Sequence, residues 1–350
     1  MDPATTEPGI RQLLWRSAEP FWFAFRSVLE SPLRPESRVY WLFLLSSLAI
    51  ALGIYLRIRS RKGGSKDSPS GMLGGFVNFC FPSSIWQTSS AWLDVRYFFF
   101  HRTVMTILTP IVSTATFLPI LMTQTASWVG GFFESPPLAG DPSPAMVAFY
   151  ALGFILITDF AAYATHWLQH KVPFLWEFHK VHHSAPVMHP LTNFREHPID
   201  NVLYIWVFLV TGGIGIACIA GLMGVDPRNI DFLRTTVFVF IFNFTAYQLR
   251  HSHIWLAWPP WLGRIFGSPA NHQIHHSCEE RHVNKNFGFM FAIWDWIFGT
   301  LHLPREREHF RIGLSDGTEA EYDSLARLYG LPFEKVYQMF ASKLKRTRGA

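Results

Sequence analysis

The sequence predicts an all-α, polytopic membrane protein with about four to five transmembrane helices and a helical, histidine-rich cap on the cytoplasmic side. Three observations predict it. Of 350 residues, 49% are hydrophobic and 16% charged, and residues 39–56, 103–133 and 201–225 contain no Asp, Glu, Lys or Arg. Each of these runs is long enough to cross about 30 Å of hydrocarbon as a helix. The first is followed at once by Arg57, Arg59, Arg61, Lys62 and Lys66, which puts that end in the cytoplasm and the N-terminus outside. Histidines then recur at helical spacing beside the apolar runs, where unpaired imidazoles are costly.

Taken in order, residues 1–38 form an N-terminal segment with five arginines against five acidic residues. Its rings at Trp15, Phe21, Trp22, Phe23 and Phe25 suit a membrane interface. Asp2, Glu7 and Glu19 precede any long apolar run, the wrong order for a signal peptide, so the first span is expected to be retained. Residues 39–143 hold the first spans and a linker: span 39–56, a Gly- and Ser-rich linker at 63–75, and an interfacial stretch with Trp86, Trp92, Tyr97 and Phe98. The run 103–133 follows, which Pro110 and Pro119 should kink or divide. The loop 134–144, with four prolines and no Lys or Arg, suits the outer side.

Residues 144–303 form the histidine-bearing unit. A span over 144–165 delivers His166 and His170 to the cytoplasm. The runs 201–225 and 235–249, joined by the turn-forming Asp226, Pro227, Arg228 and Asn229, read as a hairpin that returns the chain to the same side. The aromatic segment 289–298 is too short to span and reads as a lid or interfacial element. Residues 304–350 form a charged cytoplasmic tail whose helix candidate, 333–344, carries Val336, Tyr337, Phe340 and Leu344 at helical spacing near Lys343 and Lys345.

The chemistry lies in HWLQHKVPFLWEFHKVHH at 166–183 and its echo NHQIHH at 271–276. On helices His166 and His170 share a face, and His179, His182 and His183 stand at i, i+3 and i+4, as do His272, His275 and His276. Each segment is expected to offer its own three-nitrogen claw. A structural zinc needs four protein ligands and a catalytic zinc three, so eight or more imidazoles point to two metals held by nitrogen. HExxH is absent, and ExxH occurs only at Glu279–His282 and Glu306–His309, so neither the zinc-protease nor the soluble carboxylate di-iron template fits. The three cysteines, Cys80, Cys218 and Cys278, are far apart and make no thiolate site. The net charge of +5 comes with no nucleic-acid-binding motif, so no nucleic acid is expected as a partner.

The order HxxxH, HxxHH, a lone His251, then HxxHH resembles the fatty acid hydroxylase and sterol desaturase superfamily of membrane di-iron enzymes, over about residues 145–303. Asp159 and Tyr163, the group Arg195, His197 and Pro198, and the closing Asn286, Phe287, Gly288, Trp294, Asp295, Phe298, Gly299 and Thr300 match as well. Trp167 stands where many relatives have arginine, and His253 where asparagine is common. The resemblance implies a non-haem pair of Fe ions on His166, His170, His179, His182, His183, His251, His272, His275 and His276. It implies O2-dependent hydroxylation or desaturation of a membrane lipid, and an external electron donor (a ferredoxin, a cytochrome or a reductase), since no haem, dinucleotide or ferredoxin motif is present. Asp159, seven residues before His166 on one helical face, is expected to orient a ligand imidazole. Two other functional classes compete: a membrane metal transporter, which would place its ligands near mid-membrane, and a zinc-dependent membrane hydrolase.

Overall fold

The computed structural model describes residues 10–61, 71–113, 117–134, 143–224, 233–245 and 247–348. Asp2, Glu7, Lys62, Lys66, linker residues 63–70, residues 135–142 of the proline loop and the turn at 226–229 lie outside the described residues. Among those described there is no strand, only two isolated bridges, Phe266 with Phe291 and Ser277 with Ile312. The longer helices are α1 (Ile10–Leu29), α2 (Trp41–Arg61), α3 (Gly71–Cys80), α4 (Ser89–Ser113), α5 (Phe117–Phe132), α6 (Pro144–Lys171), α7 (Pro173–His183), α8 (Pro198–Leu222), α9 (Leu233–Phe244), α10 (Pro269–His275) and α11 (Leu325–Arg348).

Three of them, α2, α6 and α8, are long and apolar enough to cross a membrane, and only 22%, 33% and 22% of their apolar windows are buried within the protein. So much apolar surface facing outward requires an apolar surrounding, and this is a membrane protein. The run 103–133 falls in α4 and α5, with Pro110 inside α4 and residues 114–116 outside the described residues. In the run 235–249, α9 ends at Phe244 and a 3-10 helix covers Tyr247–Leu249; the 12 described residues of α9 rise about 18 Å, less than about 30 Å of hydrocarbon. The last glycines of the linker, Gly71 to Gly75, belong to α3.

Helix α8 is the hub, packed against α4, α5 and α6, while α9 lies against α2 and α6. The α5–α8 crossing is close because Gly221 has no side chain: a Cβ there would meet the Ala126 carbonyl oxygen at 2.5 Å. Proline starts the helices that build the site, at Pro144, Pro173, Pro198 and Pro269. There its missing N–H costs no hydrogen bond and its fixed φ is already helical. Ser143 and Ser268 add side-chain caps, accepting from the N–H of Met146 and Asn271.

Residues 304–348, expected as a tail, fold back on the histidine-bearing helices. Leu314, Tyr322, Leu328 and Leu331 share one buried cluster with Val181 of α7 and with Leu93 and Tyr97 of α4. The tail helix is therefore longer than the 333–344 stretch that periodicity marks. Its first half is core, and only beyond Pro332 do Tyr337, Phe340 and Leu344 stand exposed.

One buried ion pair ties α4 to the chain after α7. Arg195 is almost fully buried; its Nε donates to Asp94 Oδ1 at 2.5 Å, its Nη1 to Ser184 Oγ at 3.2 Å and its Nη2 to Ser90 Oγ at 3.0 Å. His189 Nε2 and Thr192 Oγ1 both lie 3.1 Å from Asp94 Oδ2. Removing one partner strands a buried charge. Asp94→Ala is expected to cost about 3–5 kcal/mol, read as a large drop in melting temperature in detergent. An unchanged melting temperature would show that the pair does not hold these elements together.

Candidate metal centre

The histidines converge at one end of α6, on α7, on the turn after the 3-10 helix Tyr247–Leu249, and on α10. They form two groups, each with its ligand atoms within 4.8 Å of one another: His166, His170, His179, His183 and His275, and next to it His182, His251, His272 and His276. The rings of His183 and His276 stack at 4.4 Å and join the two.

This partition corrects the expectation of one claw per motif. Within each HxxHH the i, i+4 pair stays together, His179 with His183 and His272 with His276, while the i+3 residue crosses over. Helical geometry requires it: i and i+4 lie about 40° apart around the axis, whereas i+3 falls about 60° to the other side. His182 therefore faces His251 and His276, with ring centroids 5.0 and 4.7 Å away. His275 faces His166 and His170, at 4.4 and 4.8 Å.

The second ring nitrogen of each imidazole explains how the first is presented. His166 Nδ1 donates to the Phe287 carbonyl at 2.9 Å, His182 Nδ1 to that of Arg195 at 3.3 Å, and His275 Nδ1 to that of Lys285 at 2.8 Å. His179 Nδ1 lies 3.2 Å from the Asp200 carboxylate. A carbonyl or carboxylate acceptor requires Nδ1–H, which leaves Nε2 with its lone pair bare. His272 is held differently, accepting at Nδ1 from Arg250 Nη2 at 2.9 Å, with Arg250 lying over the ring of Phe289 at 5.1 Å.

These groups fit a metal. Nε2 of His166, His170, His179, His183 and His275 is buried without a hydrogen-bond partner, as is Nδ1 of His251. In the second group the bond from Arg250 leaves the proton of neutral His272 on Nε2, with His251 and His276 Nε2 at 2.7 and 3.2 Å from it, so a metal there would displace that proton. Each stranded nitrogen costs about 1–3 kcal/mol, and a cation at the focus of the first group satisfies its five Nε2 atoms together. Burial lowers the basicity of His182, holds His179, His183, His251, His272 and His276 well below the ordinary imidazole range, and brings His275 to about 3. The rings are neutral, the form that ligates metal.

Asp159 lies elsewhere than expected. Its carboxylate accepts from the N–H of Met290 at 2.8 Å, that of Phe291 at 3.1 Å and Trp294 Nε1 at 2.9 Å, rather than from an imidazole. Asp295 grips the same loop, accepting from the N–H of Phe287 at 2.8 Å and of Gly288 at 2.7 Å. A Cβ on Gly288 would meet the Phe291 carbonyl oxygen at 2.5 Å, so only glycine allows the loop to close this tightly. Together the two carboxylates hold the loop whose Phe287 carbonyl receives His166.

Sequence reasoning missed Asp200 and Arg250. The signal for Asp200 was a lone carboxylate at the head of an uncharged run, and for Arg250 a charge beside a ligand histidine. The remaining histidines stay outside both groups. His197 caps α8 and donates to the Tyr329 carbonyl, His253 donates to the Phe79 carbonyl, and His101 lies between Tyr329 and Asn201.

Residues 151–300 match the fatty acid hydroxylase family. The chain is 29% identical over 176 residues to the ornithine lipid hydroxylase OlsE of Rhizobium tropici, covering 50% of this chain and 48% of that one. It is 30% identical to the alkylglycerol monooxygenase of Caenorhabditis elegans, over 43% of this chain and 26% of the other, and 27% identical to human cholesterol 25-hydroxylase, over 48% and 57%. The chain thus spans about a quarter to three fifths of the length of these relatives. No solved structure matches it.

The crossed partition predicts paired losses. His275→Ala and His179→Ala should deplete the same metal ion and His182→Ala the other, as counted by metal analysis per chain. Equal loss of both ions from each variant would contradict two separable groups. Asp200→Asn should weaken the ion of the five-histidine group about 10–100-fold without unfolding the protein, measured by competition with a chelator.

Proposed function

We propose, from the fatty acid hydroxylase domain that residues 151–300 carry, that this protein is a membrane-bound, non-haem di-iron, O2-dependent lipid hydroxylase. The observation that carries this reading is the pair of fused, nitrogen-only groups of five and four histidines, all but His170 buried, within the matched residues. The five ligands of the first group exceed the four that zinc takes. Helix ends and hydrogen bonds from Nδ1 hold the imidazoles in place, unlike the exchangeable ligands of a transit site. Neither the transporter nor the hydrolase reading has an observation of its own.

When bound, the irons supply O2 activation and oxidation of an unactivated C–H bond. One oxygen atom enters the lipid, the other leaves as water, and two electrons come from an external ferredoxin, cytochrome or reductase. The chain's own part is to present uncharged Nε2 donors, to fix them through Phe287, Arg195, Lys285 and Asp200, and to exclude water. Phe287, fully buried, walls the first group, with its ring 5.5 Å from His166 and 5.1 Å from His170.

The substrate proposed is a membrane lipid that reaches the site sideways from the bilayer. Trp296, Ile297 and Phe298 stand exposed beside the loop that Asp159 and Asp295 hold, and Phe298 stacks on Phe160 and Tyr163 of α6. The relatives act, by their names, on ornithine lipid, alkylglycerol and cholesterol, and all of them insert oxygen, which favours hydroxylation over desaturation here.

The reading includes several passes through the membrane and a cytoplasmic site. The cytoplasmic side is proposed from Arg57, Arg59 and Arg61 at the end of α2. Basic residues at a span end favour the cytoplasm.

Anaerobically purified protein is expected to contain two irons per chain; stoichiometric zinc with no iron-dependent activity would sink the proposal. His251→Ala should lose metal and activity together while the protein still inserts in the membrane. Lipid extracts from cells with and without the gene should differ by a species heavier by one oxygen, seen by mass spectrometry. A loss of two hydrogens would show desaturation instead.

A further inference from the structure

Outside the two groups of the metal centre, a third set of donors converges where the chain after α10 meets the segment after Pro304. Glu308 Oε2 lies 3.0 Å from His282 Nε2, and its Oε1 lies 2.8 Å from His302 Nε2. The two rings are 4.9 Å apart at 76°, within the range of ring separations seen inside the metal centre itself. His282 is fully buried and its other nitrogen faces Ser277 Oγ at 2.9 Å. His302 and Glu308 keep 25% and 14% of their side chains exposed, so the set opens on one side to water.

We propose that His282, His302 and Glu308 form a third, mononuclear site for a divalent transition-metal cation. Two imidazoles and one carboxylate are a sufficient donor set for zinc or ferrous iron, with water completing the coordination on the open side. Metal bonds of about 2.0–2.2 Å separate neighbouring donors by roughly 3–3.5 Å, so the contacts of 3.0 and 2.8 Å need to open by less than about 1 Å. To bind the ion, each neutral imidazole carries its proton on Nδ1 instead of Nε2, which at His282 then donates to Ser277 Oγ. One group opposes it: Arg281 Nη1 lies 3.0 Å from Glu308 Oε2. Its side chain is 57% exposed, free to swing into water.

The site has a consequence for the metal centre. The His302 carbonyl accepts from Asn271 Nδ2 of α10 and from Asn286 Nδ2, both at 3.0 Å. The loop between His282 and Asn286 carries the Lys285 carbonyl that receives His275 Nδ1. A cation here clamps that loop.

The test is zinc uptake by the iron-loaded, full-length protein in detergent, followed by calorimetric titration and by metal analysis after gel filtration. One further equivalent of zinc should bind beyond the metal already present, and raise the melting temperature. Glu308→Gln and, separately, His302→Gln should abolish that equivalent and the thermal shift while leaving the iron count unchanged. If wild-type protein takes up no further zinc, or if both variants take up as much as wild type, the proposal is overturned and Glu308 is a salt-bridge hub only. Because the measured quantity is the fraction sensitive to Glu308, the result does not depend on which metal the nine-histidine centre holds.

Discussion

Neutral imidazoles do not gather in a protein interior unless something offsets their loss of water. Here five bare Nε2 atoms share one focus without a hydrogen bond among them. That convergence is the constraint on which the rest of the structure depends. Burial keeps the rings uncharged, the lack of charge leaves lone pairs inward, and inward lone pairs make a site that a cation completes. The cost of stranding these donors is met by elements that have no other reason to be so rigid.

Those elements are mostly backbone. Three of the ligand rings are aimed by carbonyls of Phe287, Arg195 and Lys285, each in a short irregular stretch rather than a regular helix. Irregular chain needs its own supports, and the buried charges supply them: Asp94 with Arg195 on one side, Asp159 and Asp295 with the 287–294 loop on the other. Asp159 thus acts on the centre at one remove. It shapes the loop whose carbonyl holds His166, so its carboxylate serves the metal geometry without touching a ligand ring.

The division of the molecule follows the same economy. Apolar side chains of α2, α6 and α8 face outward, while the polar interior is concentrated where α6 ends, α8 begins and α7, α10 and α11 pack. Trp296, Ile297 and Phe298 are exposed beside it.

Spacing alone determined that the chain is helical and that its apolar runs belong in a membrane, and it marked nine histidines as candidate donors, because each of these follows from periodicity and residue chemistry within a single segment. What only the tertiary structure decided is which donors share a focus. An HxxHH motif read by itself looks like one claw, yet His182 and His275 each cross to the other group, since a helix can aim its i+3 residue at a neighbour that sequence does not reveal. The same holds for Asp200 and the three carbonyls: a backbone oxygen has no signature in the sequence, and its meeting with an imidazole up to 121 residues away exists only once the chain has closed on itself.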